Sequence, residues 1–238
     1  MIQEITSRQN PKIKEAVKLS NGNYADKNKL FLMEGFHALE MALKAKVVKE
    51  VYTLKKIEDI PDEIDQYIIT PDLMKKICNT VHPQGVLVVC NQIQSKPVSS
   101  DRILFLDNIS DPGNLGTLLR TALAFGYIDV FITGGCSPYN LKALAASQGA
   151  IFSVNILKEL PFSVIKEYEV IATEIKGSVE LSEFKPQKKH ILILGNEAHG
   201  VSNEFLSSAD RRIRININEI ESLNVAVAGA IAMYELSK

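Results

Sequence analysis

Asp107–Gly126, DNISDPGNLGTLLRTALAFG, sets Asp-Pro-Gly-Asn-Leu-Gly between the apolar run RILFLDN and a helical pattern that carries one arginine, Arg120. Asp, Pro, Gly and Asn start turns and helices, so the stretch reads as a buried strand, a turn and a helix. The spacing predicts a helical pattern over Gly113–Phe125 whose regular part begins after Asn114, which acts from the turn about one and a half helical turns before Arg120. Gly113 and Gly116 lack the spacing of the dinucleotide fingerprint GxGxxG, which disfavours a nicotinamide-dependent dehydrogenase.

Two later segments repeat this form. ILILGNEAHGVSNEF runs from an apolar strand through Gly195-Asn196-Glu197-Ala198-His199-Gly200 into a short helix at Asn203–Ser208. IRININEIESLNVAVAGAI runs from the strand RRIRINI through Ser222-Leu223-Asn224 into a final helix at Asn224–Leu236. IDVFIT and VIATEI add strands, and Asn140–Ser147 adds a helix. Strands that are apolar throughout, separated by helices, imply a parallel sheet covered on both faces. Ligands of such sheets bind beyond the carboxyl ends of the strands, where the three turns would meet. Each turn taken singly also has a structural explanation. Gly113 and Gly116 can be turn glycines, Gly195 and Gly200 can supply positive φ, and Asn114 and Ser222-Leu223-Asn224 can be helix caps.

Upstream, the pattern is a smaller alternating α/β unit over residues 1–94. Asn10 and Pro11 open a helix to Leu19, and SNGNYADKNK reads as a polar loop. FLMEGFHALEMALKAK gives a strand and a helix with apolar positions at Phe36, Leu39, Met41 and Leu43. VVKEVYTL, QYIIT and GVLVVCNQI read as strands and PDLMKKIC as a helix. Ser95–Arg102, SKPVSSDR, is a polar linker, and residues 103–238 form the second unit.

The formal net charge of −1 is unevenly spread. Residues 1–56 hold 11 Lys and Arg against 6 Asp and Glu, whereas residues 99–238 hold 13 against 16. A basic amino-terminal end on a near-neutral chain suits an RNA-facing module, as it also suits a solvated helix face. No apolar run reaches the roughly 20 residues that span a bilayer, and MIQEITSRQNPK lacks a signal-peptide core, so a cytoplasmic, non-membrane protein is expected. Cys78, Cys90 and Cys136 are scattered and read as buried reduced thiols, with no metal site expected. His190 and His199 lack ligand-spaced partners and read as surface and loop residues.

Together the three turn segments resemble the signature motifs of the SpoU (TrmH) family of RNA ribose 2′-O-methyltransferases, within the SPOUT superfamily. The first motif matches at Asp111-Pro112-Gly113-Asn114-Leu115-Gly116 with Arg120. The second matches from Leu194-Gly195-Asn196-Glu197 to Gly200, and the third from Ser222-Leu223-Asn224 to Ala228. The resemblance covers residues 103–238. SRQNPKIKEAVKL and FLMEGFHALEMAL look like the ribosomal-protein-like RNA-binding domain often fused to that family.

The resemblance implies a SPOUT-type domain tied in a deep trefoil knot, S-adenosylmethionine as methyl donor, and a homodimer acting on structured RNA, ribosomal RNA above all. It implies Arg120 as the catalytic arginine, with Asn114, Glu197, Ser222 and Asn224 around the acceptor. Donor contacts would come from Leu194, Gly195, Ile215, Ile217 and Leu223. The third motif departs from the family in two places: Ile215-Asn216-Ile217 stands where Ile-Pro-Met is common, and Ala226 where Ser is. A catalytically silent ribosome-assembly module and a tRNA methyltransferase are the alternatives. The five polar residues argue against the first, because binding alone has no chemical need of all five.

Overall fold

The computed structural model describes residues 1–78, 82–176 and 179–238. The chain divides into two compact units, Met1–Ile93 with Tyr139–Ala145, and Gln94–Pro138 with Ala146–Lys238. The segment Tyr139–Ala145 therefore belongs by its contacts to the first unit. Tyr139 stacks on Phe31 at 4.9 Å and donates to the Ile93 carbonyl at 3.4 Å.

The first unit is a five-stranded mixed sheet. In chain order its elements are β1 (Ile2–Ile5), α1 (Pro11–Leu19), α2 (Gly22–Lys27), β2 (Leu30–Glu34), α3 (Phe36–Lys44), β3 (Val48–Thr53), β4 (Asp65–Ile69), α4 (Pro71–Cys78) and β5 (Val86–Asn91). The strand order is β1-β4-β3-β5-β2, parallel from β1 through β3 and antiparallel beyond. Asn10 caps α1 by accepting from the Lys12 amide at 2.9 Å, and Pro11 fixes the first helical φ. Ile13, Ala16 and Leu19 then face a core with Leu32, Tyr52, Tyr67 and Leu73. Three expectations need correction. SNGNYADKNK contains the helix α2, the sheet gains the edge strand β1, and Phe36 is 60% exposed, so α3 buries Ala38, Leu39 and Ala42 instead.

The second unit holds β6 (Arg102–Asp107), α5 (Pro112–Ala124), β7 (Asp129–Thr133), β8 (Asn155–Leu157), α7 (Phe162–Ile165), β9 (Glu169–Thr173), β10 (Val179–Glu180), β11 (His190–Leu194), α8 (Asn203–Ser208), β12 (Arg211–Arg214) and α9 (Val225–Leu236), and α6 (Leu141–Ser147) straddles the division between the units. Its seven strands are all parallel, in the order β10-β12-β9-β11-β6-β7-β8. The sequence pattern demands this arrangement, because RILFLD and HILIL are buried almost throughout and occupy the middle. From β6 the chain moves outward through β7 and β8. It then returns on the other side and inserts β11 between β9 and β6, which makes the β6/β11 boundary the switch point of the sheet.

Asp111 caps α5 through the Asn114 amide at 2.9 Å with Pro112 in the first turn, so the helix starts before Gly113. α9 packs against α5, where Gly229 leaves room for Leu118 and Leu194. The Arg102 guanidinium donates to the carbonyls of Phe125 and Ser237, each at 3.1 Å, and ties the carboxyl ends of the two helices together. The polar stretch ahead of β6 is also held, since the Ser99 and Ser100 amides donate to buried Asp129 at 2.8 and 2.7 Å.

His190 is not at the surface. It is 1% exposed at the start of β11, with Nδ1 3.2 Å from the Gln187 carbonyl and Nε2 2.7 Å from the Tyr127 hydroxyl. The carbonyl can only accept, so Nδ1 carries the proton and Nε2 accepts from Tyr127. Cys78 and Cys90 are buried, and burial pushes the Cys78 thiol up to about 12, while Cys136 is half-buried. Among the described residues no three His, Cys, Asp or Glu side chains gather as a metal site, and no helix is long and apolar enough to cross a membrane.

Candidate active site

The loops that follow β6 and β11 are neighbours because those strands are paired in register from Arg102/His190 to Leu106/Leu194. Their contact is organised by Glu197. One carboxylate oxygen accepts from the Ser110 amide at 3.0 Å and the Ser110 hydroxyl at 2.7 Å. The other accepts from the Asp111 amide and the Asn114 Nδ2, both at 3.0 Å. Burial pushes this carboxyl up, but the hydrogen bonds from Asn114, Ser110 and the Asp111 and Ser110 backbone outweigh it and hold the group at about 2. Glu197 is thus a fixed anion with its lone pairs taken, an anchor and not a proton acceptor.

Asn114 passes the network on. Its Oδ1 accepts from Asn224 Nδ2 at 2.9 Å, while Asn224 Oδ1 caps α9 through the amides of Ala226 and Val227 at 2.9 and 3.3 Å. The three motif turns are therefore joined side chain to side chain through Glu197, Asn114 and Asn224. Asn114 does so from inside α5, as its third residue, and not from a preceding turn.

The Gly195-to-Gly200 loop is folded back on itself. The Asn196 and Gly200 amides and carbonyls exchange hydrogen bonds at 3.0 and 2.8 Å. A Cβ on Gly195 would come 2.0 Å from the Gly200 carbonyl carbon and the Val201 nitrogen, so only glycine fits there. Gly200 has φ +71, whereas Gly195 has no positive φ; its reason is close backbone approach. Gly113 and Gly116 are helix residues and not turn glycines.

Sequence reasoning missed Ser110, Asn108 and Asn196. The Asn196 Nδ2 donates to the Asn108 carbonyl at 2.9 Å and its Oδ1 accepts from the Ala198 and His199 backbone amides at 2.9 and 3.1 Å. Asn108 takes φ +57, a conformation asparagine tolerates. An asparagine directly after a buried strand was the available signal.

Beyond the carboxyl ends of β9, β11 and β12 lies a cavity of about 850 Å³. Leu194, Gly195, Ile215, Ile217 and Leu223 all line it, as do Glu197 and Ser222. Its size falls within the roughly 300–1,000 Å³ of small-molecule sites, and its wall mixes apolar side chains with exposed loop backbone. Its charged lining is mixed, with Glu174, Glu197 and Glu221 beside Lys176 and Arg214.

Arg120 stands apart from the Glu197 network. Six residues beyond Asn114 on one helix, it lies about 9 Å further along the axis and about 120° around it. The side chain is exposed, and its guanidinium has no hydrogen-bond or ion-pair partner among the described residues. It remains available to an outside anion.

Comparison with known proteins places these features. Residues 101–234 match the SpoU rRNA Methylase family, and residues 10–88 match an MRM3-like substrate binding domain. The 23S rRNA (guanosine(2553)-2′-O)-methyltransferase RlmP of Bacillus subtilis is 32% identical over 247 residues, spanning 99% of both chains. A 23S rRNA (uridine(2479)-2′-O)-methyltransferase of Streptomyces viridochromogenes is 26% identical over 72% of this chain and 66% of its own. The AdoMet-bound rRNA methyltransferase of Sinorhizobium meliloti, a crystal structure, superposes with a TM-score of 0.88 at 26% identity, covering 99% of this chain and 97% of that one.

Proposed function

The chain belongs to the SpoU rRNA methylase family, and from that premise we propose that it transfers a methyl group from S-adenosylmethionine to a ribose 2′-hydroxyl of ribosomal RNA. The observation that carries the reading is the single cavity holding Leu194, Gly195, Ile215, Ile217 and Leu223, with Glu197 and Ser222 on its wall. These five residues hold the donor, which when bound supplies an electrophilic methyl group.

The chain's own residues then position the acceptor. Glu197 keeps Asn114 and the Ser110–Asp111 backbone in place, and the Asn114–Asn224 pair, fixed by these bonds, shapes the acceptor side. Arg120 clamps a phosphate of the nucleotide, since a guanidinium holds its proton and this one has no partner among the described residues. With the donor bound, the 2′-hydroxyl proton would pass to phosphate or water as the methyl moves from the donor sulfur to the oxygen, the sulfur keeping the electron pair of the broken bond as a neutral thioether. Ser222 completes the acceptor side.

The finer features of the reading are proposed with it. Residues 1–94 bind the RNA, supported by the substrate-binding-domain match and by the basic excess confined to residues 1–56, residues 95–102 link, and residues 103–238 catalyse. The carboxyl-terminal chain is threaded as a trefoil knot, supported by the late insertion of β11 between β9 and β6 and the return of α9 onto α5. The enzyme works as a homodimer in the cytoplasm.

The test pairs binding with turnover. Calorimetry on the wild type should show S-adenosylmethionine binding, and Arg120→Ala should keep that binding while losing methyl transfer and RNA affinity. Lost turnover with unchanged RNA affinity would sink the clamp; absent donor binding would sink the function.

A further inference from the structure

One end of the first unit's sheet carries exposed groups that its core does not need. Phe36, the first residue of α3, is 60% exposed although the helix buries its other face well. The helix is entered through Gly35, whose φ of +102 is open to glycine, while its amide bonds the Val86 carbonyl at 2.9 Å. Gly35 has a second reason to be glycine. A Cβ there would lie 2.3 Å from Gln84 Oε1, so the Gln84 carboxamide rests over the bare Gly35 backbone.

Gln84 is held in this place by its main chain, whose amide donates to Glu34 Oε1 at 2.5 Å. Its carboxamide has no hydrogen-bond partner among the described residues. On the far side of Gln84, Gly85 has φ +83 and leaves van der Waals room for Leu54, which is 37% exposed. Phe36, the Gln84 carboxamide and Leu54 thus follow one another across the ends of β2, β5 and β3 as ring, amide and aliphatic group.

We propose that these residues form a nucleobase-binding site, in which Phe36 stacks on an unpaired base of the ribosomal RNA and the Gln84 carboxamide reads that base's edge. The proposal rests on the RNA-methylating function above and names part of how the substrate is held. An aromatic face with a donor–acceptor group beside it is what an unstacked base requires, a π surface and a partner for its polar edge. The site lies in the unit matched to a substrate-binding domain, and Phe36 and Leu54 belong to its basic first part. Leu54 closes the apolar floor.

The chain contains no tryptophan, which makes the site directly observable. Binding of an unmodified 23S rRNA transcript is measured for the full chain and for Phe36→Ala, Phe36→Leu, Phe36→Trp and Gln84→Ala. Phe36→Ala and Phe36→Leu should weaken RNA binding about 10-fold, whereas Phe36→Trp should retain it and show quenched emission when RNA is added. Gln84→Ala should weaken it by about 5-fold, and calorimetric S-adenosylmethionine binding should be unchanged in all four. Wild-type affinity in Phe36→Ala, or unquenched tryptophan in a complex that forms, overturns the stacking site alone. A wild-type chain that binds no rRNA overturns both this site and the function it rests on.

Discussion

The Glu197 carboxylate receives four hydrogen bonds from Ser110, Asp111 and Asn114, all on the loop and helix of the first motif. A glutamine there has one acceptor oxygen and one NH₂ that faces donors, so two of the four bonds must break. Glu197→Gln should lower kcat by about 100-fold through misplacement of Asn114 while leaving donor affinity nearly unchanged. Single-turnover kinetics beside calorimetry would show it; a proportionate loss of donor binding would contradict an anchoring role. Because this carboxyl falls from 4.5 to about 2 on folding, its contribution to stability is full above pH 4.5 and is lost as pH drops toward 2. His190 gives the other pH dependence. Burial lowers its pKa from 6.5, so the unfolded chain takes up the proton first and the fold loses stability as pH falls below 6.5. Melting temperatures between pH 5 and 8 should show a slope that His190→Phe reduces; an equal slope in both proteins would exclude His190 as its source.

At the scale of elements, two glycines make contrasting demands. A methyl group on Gly229 would meet the ends of the Leu118 and Leu194 side chains, each 2.6 Å away, which can rearrange. The overpacking cost of about 1–3 kcal/mol is partly offset by about 1 kcal/mol of helix propensity. A methyl group on Gly195 would meet the Gly200–Val201 peptide at 2.0 Å, and backbone there cannot give as a side chain can. Gly195→Ala should therefore cost at least about 3 kcal/mol and empty the donor cavity, while Gly229→Ala leaves donor binding measurable. Denaturant midpoints decide between them, and equal losses would mean the Gly195 loop is not rigid. The same elements show why some of this was legible beforehand. Ile103–Leu106 and Ile191–Leu194 are unbroken apolar runs, so β6, β11 and the parallel sheet follow from the pattern alone. Asp-Pro-Gly-Asn serves a turn or a helix start equally, and only the Asp111 cap on the Asn114 amide places Asn114 within α5. β1 and α2 bury one residue or few, leaving no periodic signal, and the burial of His190 depends on Tyr127, 63 residues away.

For the whole molecule the unanswered surface is that of α9. Val227, Ile231 and Tyr234 are 49%, 37% and 50% exposed, and their spacing of four and then three residues sets them on one face. The opposite side of the helix buries Ala226, Gly229, Ala232, Met233 and Leu236, so the exposed stripe is surplus to the fold of one chain. An apolar stripe on a helix already packed on its other side suits a second copy, and a two-fold axis lets the same patch meet itself. Tyr234 also stacks at 5.7 Å on Phe125 of α5, which fixes its ring at the edge of that stripe. Sedimentation velocity should give a dimer for the wild type and a monomer for Ile231→Asp. The substituted side chain faces solvent in the single chain, so its helix content by circular dichroism should be unchanged. If the dimer is also what completes the acceptor site, the folded monomer should keep S-adenosylmethionine affinity and lose methyl transfer. A wild type that sediments as a monomer, or an Ile231→Asp variant that still dimerises, would remove α9 as the interface.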